Sequence, residues 1–303
     1  MIDITDKPET LRQADAEGSI FLDRETVDRI DRMDLPKGNL FDTARAAALL
    51  ASKKTSELIP HCHPVVIDGM DILFELNKKE SLVKVLARGK SISRTGIEME
   101  VLIAVSVALL TIYDLLKPID KNMSIGNIKL LHKSGGRTQY RSEIKKEYHA
   151  AILVCSDSTA KGTRTDKSGK IIEQLLHKYN VKPADYQIVP DDIQLIIEQL
   201  NKWIDEDIPF IFTTGGTGLG PRDNTIDAIK LLNGKSVEGI GEAMRSYGQK
   251  RTLKAMLSRS AAVVKNKTLI IALPGSSNGA RESLEAILPA VFHARRMIEG
   301  DSH

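Results

Sequence analysis

The chain has 303 residues and a formal net charge of +3, too small to indicate binding to nucleic acid or to a membrane surface. Any anionic ligand must therefore be held by local clusters of basic side chains. The length predicts two domains, and 42% hydrophobic residues suffice for two cores. The N-terminus lacks the apolar stretch of a secretion signal, and Cys62 and Cys155 form no C-x-x-C pair. We expect a cytoplasmic protein with reduced thiols and without an iron–sulfur cluster or another bound redox cofactor.

The first 136 residues mix predicted helices and strands, which favours an α+β fold. A helical pattern around residues 9–17 precedes a helix over residues 24–32 that begins after Asp23. An Ala-rich helix over residues 42–54 leads into LIPHCHP, where two prolines enforce an extended loop. The later predicted elements are a hairpin over residues 65–76 and 81–92 and a strand over residues 125–131.

Residues 98–117 predict one long buried helix, EMEVLIAVSVALLTIYDLLK, which stops before Pro118. Carboxylates bracket its apolar centre, so we do not expect a membrane span, which needs roughly 20 apolar residues. Glu98 and Glu100 lie at its start and Asp114 and Lys117 at its end, roughly 28 Å away. Groups so far apart cannot meet in one pocket of a single chain. Either they are unrelated caps, or a second copy brings one end to the other.

Other polar residues of this part leave their functions open. Lysines beside carboxylates bind polyphosphates, and a desolvated lysine acts as a general acid or base, although most lysines are solvated surface groups. His61, Cys62 and His63 suggest a metal site, but no further ligands follow at suitable spacing. The alternative for His63 is a hydrogen-bonding or structural group.

Long motifs in residues 1–136 resemble cyclic pyranopterin monophosphate synthase, the MoaC family of molybdenum cofactor biosynthesis. The motifs are DITDKPET, FDTAR, KKTSELIPHCHP, TGIEMEVLIAVSVALLTIYDLLK and IGNIKLLHKSGG. The resemblance implies a ferredoxin-like α+β fold that assembles as a hexamer with threefold symmetry, with pockets at the dimer interface. It also implies a reaction in which a cyclised dihydroguanosine triphosphate becomes cyclic pyranopterin monophosphate and diphosphate is released.

The same resemblance implies the site residues. Lys37 and Lys117 match the catalytic lysines, and Asp114 would orient Lys117. The pocket for the guanine-derived rings is matched by Cys62, His63, Glu98, Met99 and Glu100, with Lys133 as a further pocket lysine. Arg94 departs from the family, which usually has lysine there, and an arginine keeps the charge but not the donor geometry.

Residues 137–148 are charged and poor in large aliphatic side chains, which predicts a linker between domains 1–136 and 149–303. Beyond it, strands and helices alternate, as is typical of a three-layer α/β domain with a mostly parallel sheet. One predicted strand begins at residue 150, and three others cover residues 186–189, 210–214 and 269–273. The predicted helices cover residues 167–179, 191–205 and 280–298.

A threonine- and glycine-rich segment, TTGGTG, follows the predicted strand at residues 210–214. Glycines there let backbone N–H groups approach an anion, although such segments are often mere turns. Arg222 and Asp223 follow, and arginine with a carboxylate suits phosphate together with Mg²⁺. The segment matches neither a P-loop nor a dinucleotide-binding fingerprint. Asp157, Asp166 and Asp191 lie at strand ends, where ligands collect in α/β sheets, and Asp191 is alternatively an N-cap.

The second domain resembles molybdopterin adenylyltransferase, the MogA, MoaB and gephyrin G-domain family. The motifs are VCSDS, DKSG, IVPDD, TTGGTG, PRDNT, LSRSAAVV and LIIALPGSSNG. The resemblance implies transfer of AMP from ATP, with Mg²⁺, to the terminal phosphate of molybdopterin, by an enzyme that forms trimers. A non-catalytic module that only binds molybdopterin is the alternative, against which Arg222 and Asp223 argue.

Residue roles follow from this second resemblance too. The pterin phosphate would be cradled by Thr214, Gly215, Gly216, Thr217 and Gly218. Asp191 and Asp223 would serve nucleotide transfer and a metal. The same crevice would be lined by Ser258, Arg259, Pro274, Gly275 and Ser276.

Overall fold

The computed structural model describes residues 1–36, 38–136 and 148–300. Contacts divide the chain into two compact units, Met1–Gln139 and Tyr140–His303. Most of the predicted linker lies outside the described residues, and its last residue, Tyr148, belongs to a strand. The limits 1–136 and 149–303 therefore stay predictions.

The first unit is a four-stranded antiparallel sheet with helices in the order βαββαβ. Its elements are β1 (Thr10–Phe21), α1 (Arg24–Asp31), α2 (Leu40–Ser52), α3 (Thr55–Leu58), β2 (Gly69–Asn77), β3 (Leu82–Ser93), α4 (Glu98–Leu116) and β4 (Ser124–Ser134). The strand order β2-β3-β1-β4 gives the predicted ferredoxin-like fold.

The helix predicted around residues 9–17 is wrong, because that segment is part of β1. Ala14 and Ala16 are buried in the core, whereas Asp15 and Glu17, which alternate with them, are not. This two-residue alternation is the pattern of a strand with one buried face. The predicted hairpin and final strand are confirmed as β2, β3 and β4.

Helix α4 ends one residue before its predicted limit and lies on the sheet. Gly18 of β1 allows the close approach, since a Cβ there would lie 2.8 Å from side-chain atoms of Val105 and Leu109. By length and composition α4 is the one described helix that could cross a membrane, a test that the core helix of a sheet also passes. The inner face of α4 packs into the hydrophobic core of the first unit. The residues buried there include Val101, Ala104, Val105, Ala108, Leu109, Ile112 and Leu116.

The second unit contains a six-stranded sheet in the order β6-β5-β7-β10-β9-β8. Its strands are β5 (Tyr148–Cys155), β6 (Val181–Val189), β7 (Phe210–Thr214), β8 (Lys235–Ser236), β9 (Ala261–Lys265) and β10 (Thr268–Leu273). Its α-helices are α5 (Asp157–Ala160), α6 (Ser168–His177), α7 (Ile193–Asp205), α8 (Thr225–Leu231), α9 (Glu238–Gln249), α10 (Ser277–Ile287) and α11 (Ala294–Glu299). Two 3₁₀ helices cover Leu253–Leu257 and Ala290–His293.

The four strands β6, β5, β7 and β10 are parallel. At one edge of the sheet, β9 pairs antiparallel with β10, and β8 pairs antiparallel with β9. Alternate residues of β7 belong to two different hydrophobic cores. Phe210 and Phe212 pack into one core, and Ile211 packs into the other. The sheet is thus covered on both faces, which confirms the predicted three-layer α/β fold. The strand order reverses between β5 and β7, and such a switch point opens a crevice at the carboxyl ends of the strands.

One predicted helix of this unit is wrong. Residues 280–298 form α10, a 3₁₀ helix and α11 instead of a single helix, and α10 ends at Ile287, two residues before Pro289. A proline has no backbone N–H to donate to a carbonyl of the preceding turn, so the helix stops before it.

Candidate active sites

The start of α4 collects a cluster of polar side chains in the first unit. Glu98 and Glu100 occupy its first turn, and the Cys62 thiol lies close enough for both carboxylates to raise its pKa, although burial raises it more. Lys133 Nζ lies 3.5 Å from Glu98 Oε1. Asp3 is close enough to His63 for the histidine to act on its carboxyl group electrostatically. The structure therefore brings together four of the predicted pocket residues, Cys62, Glu98, Glu100 and Lys133.

Glu100 is only 2% exposed, and its two carboxylate oxygens find no hydrogen-bond partner among the described residues. Burial raises the pKa of this carboxyl group, and the negative charge of Glu98 adds to the effect. A buried acid without a partner favours its neutral form, which donates one hydrogen bond and accepts another. Glu100 is thus suited to a polar ring edge.

The opposite end of α4 carries Asp114 and Lys117. Lys117 Nζ lies 2.6 Å from Asp114 Oδ1, and this hydrogen bond raises the pKa of the lysine. Both side chains are more than half exposed, so solvent screens the pair. As the sequence predicts, one chain keeps the two polar groups at opposite ends of the helix. Lys37, the other predicted catalytic lysine, lies outside the described residues.

Arg12 belongs to the polar cluster at the start of α4, since Glu98 acts on it electrostatically, although the sequence analysis did not single it out. Its guanidinium donates to the backbone carbonyls of Ser93 and Arg94, both at 3.2 Å. Gly136 lies beside this guanidinium with a φ of +78°, a backbone conformation that favours glycine. Burial lowers the pKa of Arg12, and the nearby Glu98 opposes this effect. Its partners are backbone carbonyls far away in sequence, so no side-chain pattern marked it.

The second unit has a cavity of about 330 Å³ at the carboxyl ends of β5, β7 and β10. Gly215 and Gly216 have φ of +92° and +59°, which favours glycine, and a Cβ on Gly215 would overlap the Cys155 carbonyl. Gly275 packs closely against Gly215, since a Cβ on Gly275 would lie 3.0 Å from the Cα of Gly215. The predicted residues that line this cavity are Asp191, Thr214, Gly215, Gly216, Gly275 and Ser276.

A second cavity, of about 370 Å³, shares Ser276 with the first. Ser258 and Pro274 line it together with three cations that the sequence analysis missed, Arg245, Arg251 and Lys254. One carboxylate, Glu282, lines the same cavity, and the three positive charges outnumber it, so the cavity is suited to an anionic ligand. Thr217, Gly218, Asp223 and Arg259 line neither of these two cavities.

Two carboxylates, Asp157 and Asp223, act electrostatically on a third, Asp191, which lines the first cavity. The backbone N–H of Asp157 donates to Asp191 Oδ2 and that of Asp191 donates to Asp157 Oδ1, both at 3.2 Å. Burial raises the pKa of Asp191, and the charges of Asp157 and Asp223 raise it further. Arg222 Nη1 lies 3.7 Å from Asp157 Oδ2.

Asp191 is not the N-cap of the following helix, because Asp192 accepts from the first-turn amides of α7. Asp191 Oδ1 is buried and has no hydrogen-bond partner among the described residues. A cation would supply that partner and relieve the repulsion among the carboxylates. No group of three or more His, Cys, Asp or Glu in the described residues is arranged to hold a metal by itself. Mg²⁺ commonly uses only one or two carboxylates and takes its other ligands from phosphate and water, so the donor set fits that ion.

Comparisons with known proteins agree with this geometry. The model of the MoaC family matches residues 1–136, and that of the domain described as "Probable molybdopterin binding domain" matches residues 151–293. The molybdenum cofactor biosynthesis bifunctional protein of Chlorobaculum tepidum is 43% identical over 100% of this chain and 96% of its own length. That of Synechococcus elongatus is 37% identical over 100% of this chain and 98% of its own length.

Shorter matches cover each half. Cyclic pyranopterin monophosphate synthase of Thermoanaerobacter sp. is 46% identical over 46% of this chain and 87% of its own length. The crystal structure of the molybdopterin biosynthesis enzyme MoaB from Thermus thermophilus has 42% identity and a TM-score of 0.49, and it covers 51% of this chain and 98% of that one.

A ferredoxin-like unit joined to an α/β unit with a glycine-lined crevice, together with both family matches, defines a two-domain protein of molybdenum cofactor biosynthesis. The chain belongs to the family of molybdenum cofactor biosynthesis bifunctional proteins, as its full-length similarity to two of them shows. Both resemblances stated from the sequence are confirmed.

Proposed function

We propose that the protein catalyses two reactions of this biosynthesis. The first unit converts cyclised dihydroguanosine triphosphate into cyclic pyranopterin monophosphate and diphosphate. The second transfers AMP from ATP, with Mg²⁺, to molybdopterin. The similarity of the first unit to a cyclic pyranopterin monophosphate synthase supports the first activity, and the two cavities of the second unit, one of them lined by Asp191, support the second.

The observation that carries the first activity is the division of polar groups between the ends of α4. Between them runs a stripe that includes the exposed Met99, Leu110 and Tyr113. An antiparallel pair of copies would cover this stripe and bring Glu98 and Glu100 of one copy beside Asp114 and Lys117 of the other. Each pair of copies would then contain two complete sites.

In such a site, Lys117 would neutralise the triphosphate or donate a proton, since Asp114 holds it as an ammonium ion. Lys37 is proposed as the second catalytic lysine. The ring system would lie against Cys62, His63 and Met99, where the carboxyl group of Glu100 would hydrogen-bond to a polar ring edge. Lys133 and Arg12 would add positive charge at the rim. Arg94 pairs with Glu9 at 3.7 Å and replaces the usual lysine.

In the second unit, the backbone N–H groups of Thr214–Gly218 would bind the terminal phosphate of molybdopterin. The glycines permit this approach because their positive φ turns the chain around the Cys155 carbonyl. Ser276, with its neighbours Pro274 and Gly275, would face both ligands, since it lines both cavities. Ser258 would contact the ligand in the second cavity. Catalysis of this transfer depends mainly on positioning and charge neutralisation.

Asp191 and Asp223 would hold Mg²⁺, which supplies neutralisation of the transferred phosphate charge when bound. The unpartnered oxygen of Asp191 supports this assignment. Asp157 keeps the Asp191 carboxylate in place through the two reciprocal bonds described above. Arg222, whose side chain is 84% exposed, is free to turn toward a nucleotide phosphate at little cost.

We also propose that the chains assemble with twofold contacts between first units and threefold symmetry, as a hexamer. Both cysteines are free thiols, which agrees with a reducing cytoplasm.

Two single variants of the full-length protein test both activities. Lys117→Ala should abolish pyranopterin formation and leave adenylylation intact, because the groups lie in separate units. Asp223→Ala should do the reverse. The measurements are diphosphate release from each substrate and identification of the adenylylated product. If the wild type binds molybdopterin but releases no diphosphate from ATP, the second unit is a binding module instead.

A further inference from the structure

Arg259 holds both ends of the segment that joins β7 to α8. Its backbone N–H donates to the Thr217 carbonyl at 3.2 Å. Its guanidinium donates from Nη1 to the Asp223 carbonyl at 3.3 Å and from Nη2 to Asp227 Oδ1 at 2.6 Å. The pair with Asp227 is charged on both sides, and Arg259 lowers the pKa of that carboxyl group. Charge-assisted bonds of this kind are about twice as strong as neutral ones.

The segment also folds on itself around Asp223. The N–H of Asp223 donates to the Gly220 carbonyl at 3.0 Å, and the N–H of Gly220 donates to Asp223 Oδ2 at 2.7 Å. A Cβ on Gly218 would lie 2.7 Å from the same oxygen. The direction of the Asp223 carboxylate therefore depends on where the backbone of residue 223 is fixed, and Arg259 binds that backbone directly.

We propose that Arg259 is a positioning residue that aims Asp223 for adenylyl transfer, and that it does not contact the substrate. The proposal rests on the function proposed above for the second unit. It replaces the role expected from the sequence, in which Arg259 lines the crevice. Its neighbours Ser258 and Ser260 do line the second cavity, whereas its guanidinium turns to Asp223 and Asp227.

The geometry predicts a specific kinetic split. Arg259→Ala keeps the backbone bond to Thr217 and loses both side-chain bonds, so it releases Asp223 and leaves the phosphate-binding loop fastened. We expect kcat for adenylyl transfer to fall on the order of 10- to 100-fold, as displaced catalytic groups do. The Kd for molybdopterin should stay within about twofold of the wild type. Arg259→Lys should recover part of kcat, because lysine can still pair with Asp227.

Hydrogen exchange of the full-length protein gives a second measurement that needs no turnover. Arg259→Ala should speed exchange of the Gly220 and Asp223 amides by about tenfold or more, while the β7 amides stay unchanged. Asp227→Asn keeps an acceptor oxygen but removes the charge, so it should loosen the segment less. This variant and Arg259→Lys serve if Arg259→Ala does not fold.

The outcomes separate the two proposals. A wild type without adenylyl transfer would overturn the proposed function, and the exchange rates would still decide the role of Arg259. Unchanged exchange over residues 218–223 would overturn the positioning role. A loss of molybdopterin affinity with kcat preserved would overturn it as well, since that is the behaviour of a residue that contacts the substrate.

Discussion

At the scale of single residues, the glycine loop of the second unit is shaped by what lies beneath it. The carbonyl of Cys155 occupies the space that a Cβ on Gly215 would need, and the side chain of Thr225 occupies the space beside Gly216. Thr225 donates from Oγ1 to the Gly215 carbonyl at 2.8 Å and fixes the loop from below. Burial raises the pKa of the Cys155 thiol to about 12, so this thiol beneath the loop is unreactive.

Gly215→Ala should therefore destabilise the second unit by at least about 2 kcal/mol, since it adds a steric clash to an unfavourable φ. Gly239→Ala is the matched control, because a Cβ on that exposed helical glycine meets nothing within 4 Å. The control should be neutral or stabilising by up to about 1 kcal/mol. Urea unfolding followed by the fluorescence of Trp203, the sole tryptophan, measures both. Equal midpoints for the two variants would contradict the role given to the Cys155 carbonyl.

The sequence could predict that a loop of glycines and threonines would meet carboxylates at strand ends, because both motifs directly follow buried strands. The sequence could not show which of Asp191 and Asp192 caps α7. Either carboxylate suits the start of α7, and only the backbone geometry shows that Asp192 caps the helix and leaves Asp191 for the cavity. Asp191 and Asp157 are likewise 34 residues apart, so their reciprocal bonds have no local signal.

At the scale of elements, the sequence was enough to predict α4 but not β1. Helix α4 is apolar on nearly every side, so its length and the following proline define it without any need to know which face is buried. Strand β1 buries small residues, Ala14 and Ala16, between charged ones. Alanine favours helices when taken alone, and only pairing with β3 and β4 makes this segment a strand.

A charge in the exposed stripe of α4 tests whether the stripe pairs with a second copy. Leu110 is 58% exposed, so Leu110→Lys should leave the fold intact, prevent pairing and lower pyranopterin formation on the order of 100-fold. Leu50→Lys on α2 is a control of similar exposure and should have little effect. Sedimentation and turnover of the full-length proteins measure this. Normal turnover by Leu110→Lys would exclude a shared site along α4.

At the scale of the whole molecule, the shared site predicts that two inactive variants restore each other. In a hybrid pair of Glu100→Ala with Lys117→Ala, one site carries both defects and the other carries none. Random mixing makes about half of all pairs hybrids, so pyranopterin formation should recover to about a quarter of the wild-type rate. The measurement is turnover after the two proteins are dissociated and reassembled together. Hybrids that stay inactive, while wild-type mixtures treated alike recover, would show that each chain contains its own complete site.

The length of α4 also bears on how the two reactions respond to gene expression. Each site in the first unit would need parts of two chains, so its output would rise faster than in proportion to protein abundance while chains are scarce. Residues of one chain line both cavities described in the second unit, and we expect its output to rise in step with abundance. A cell that makes more of this one polypeptide would thus shift the balance between an early product and a late one, although both are encoded together.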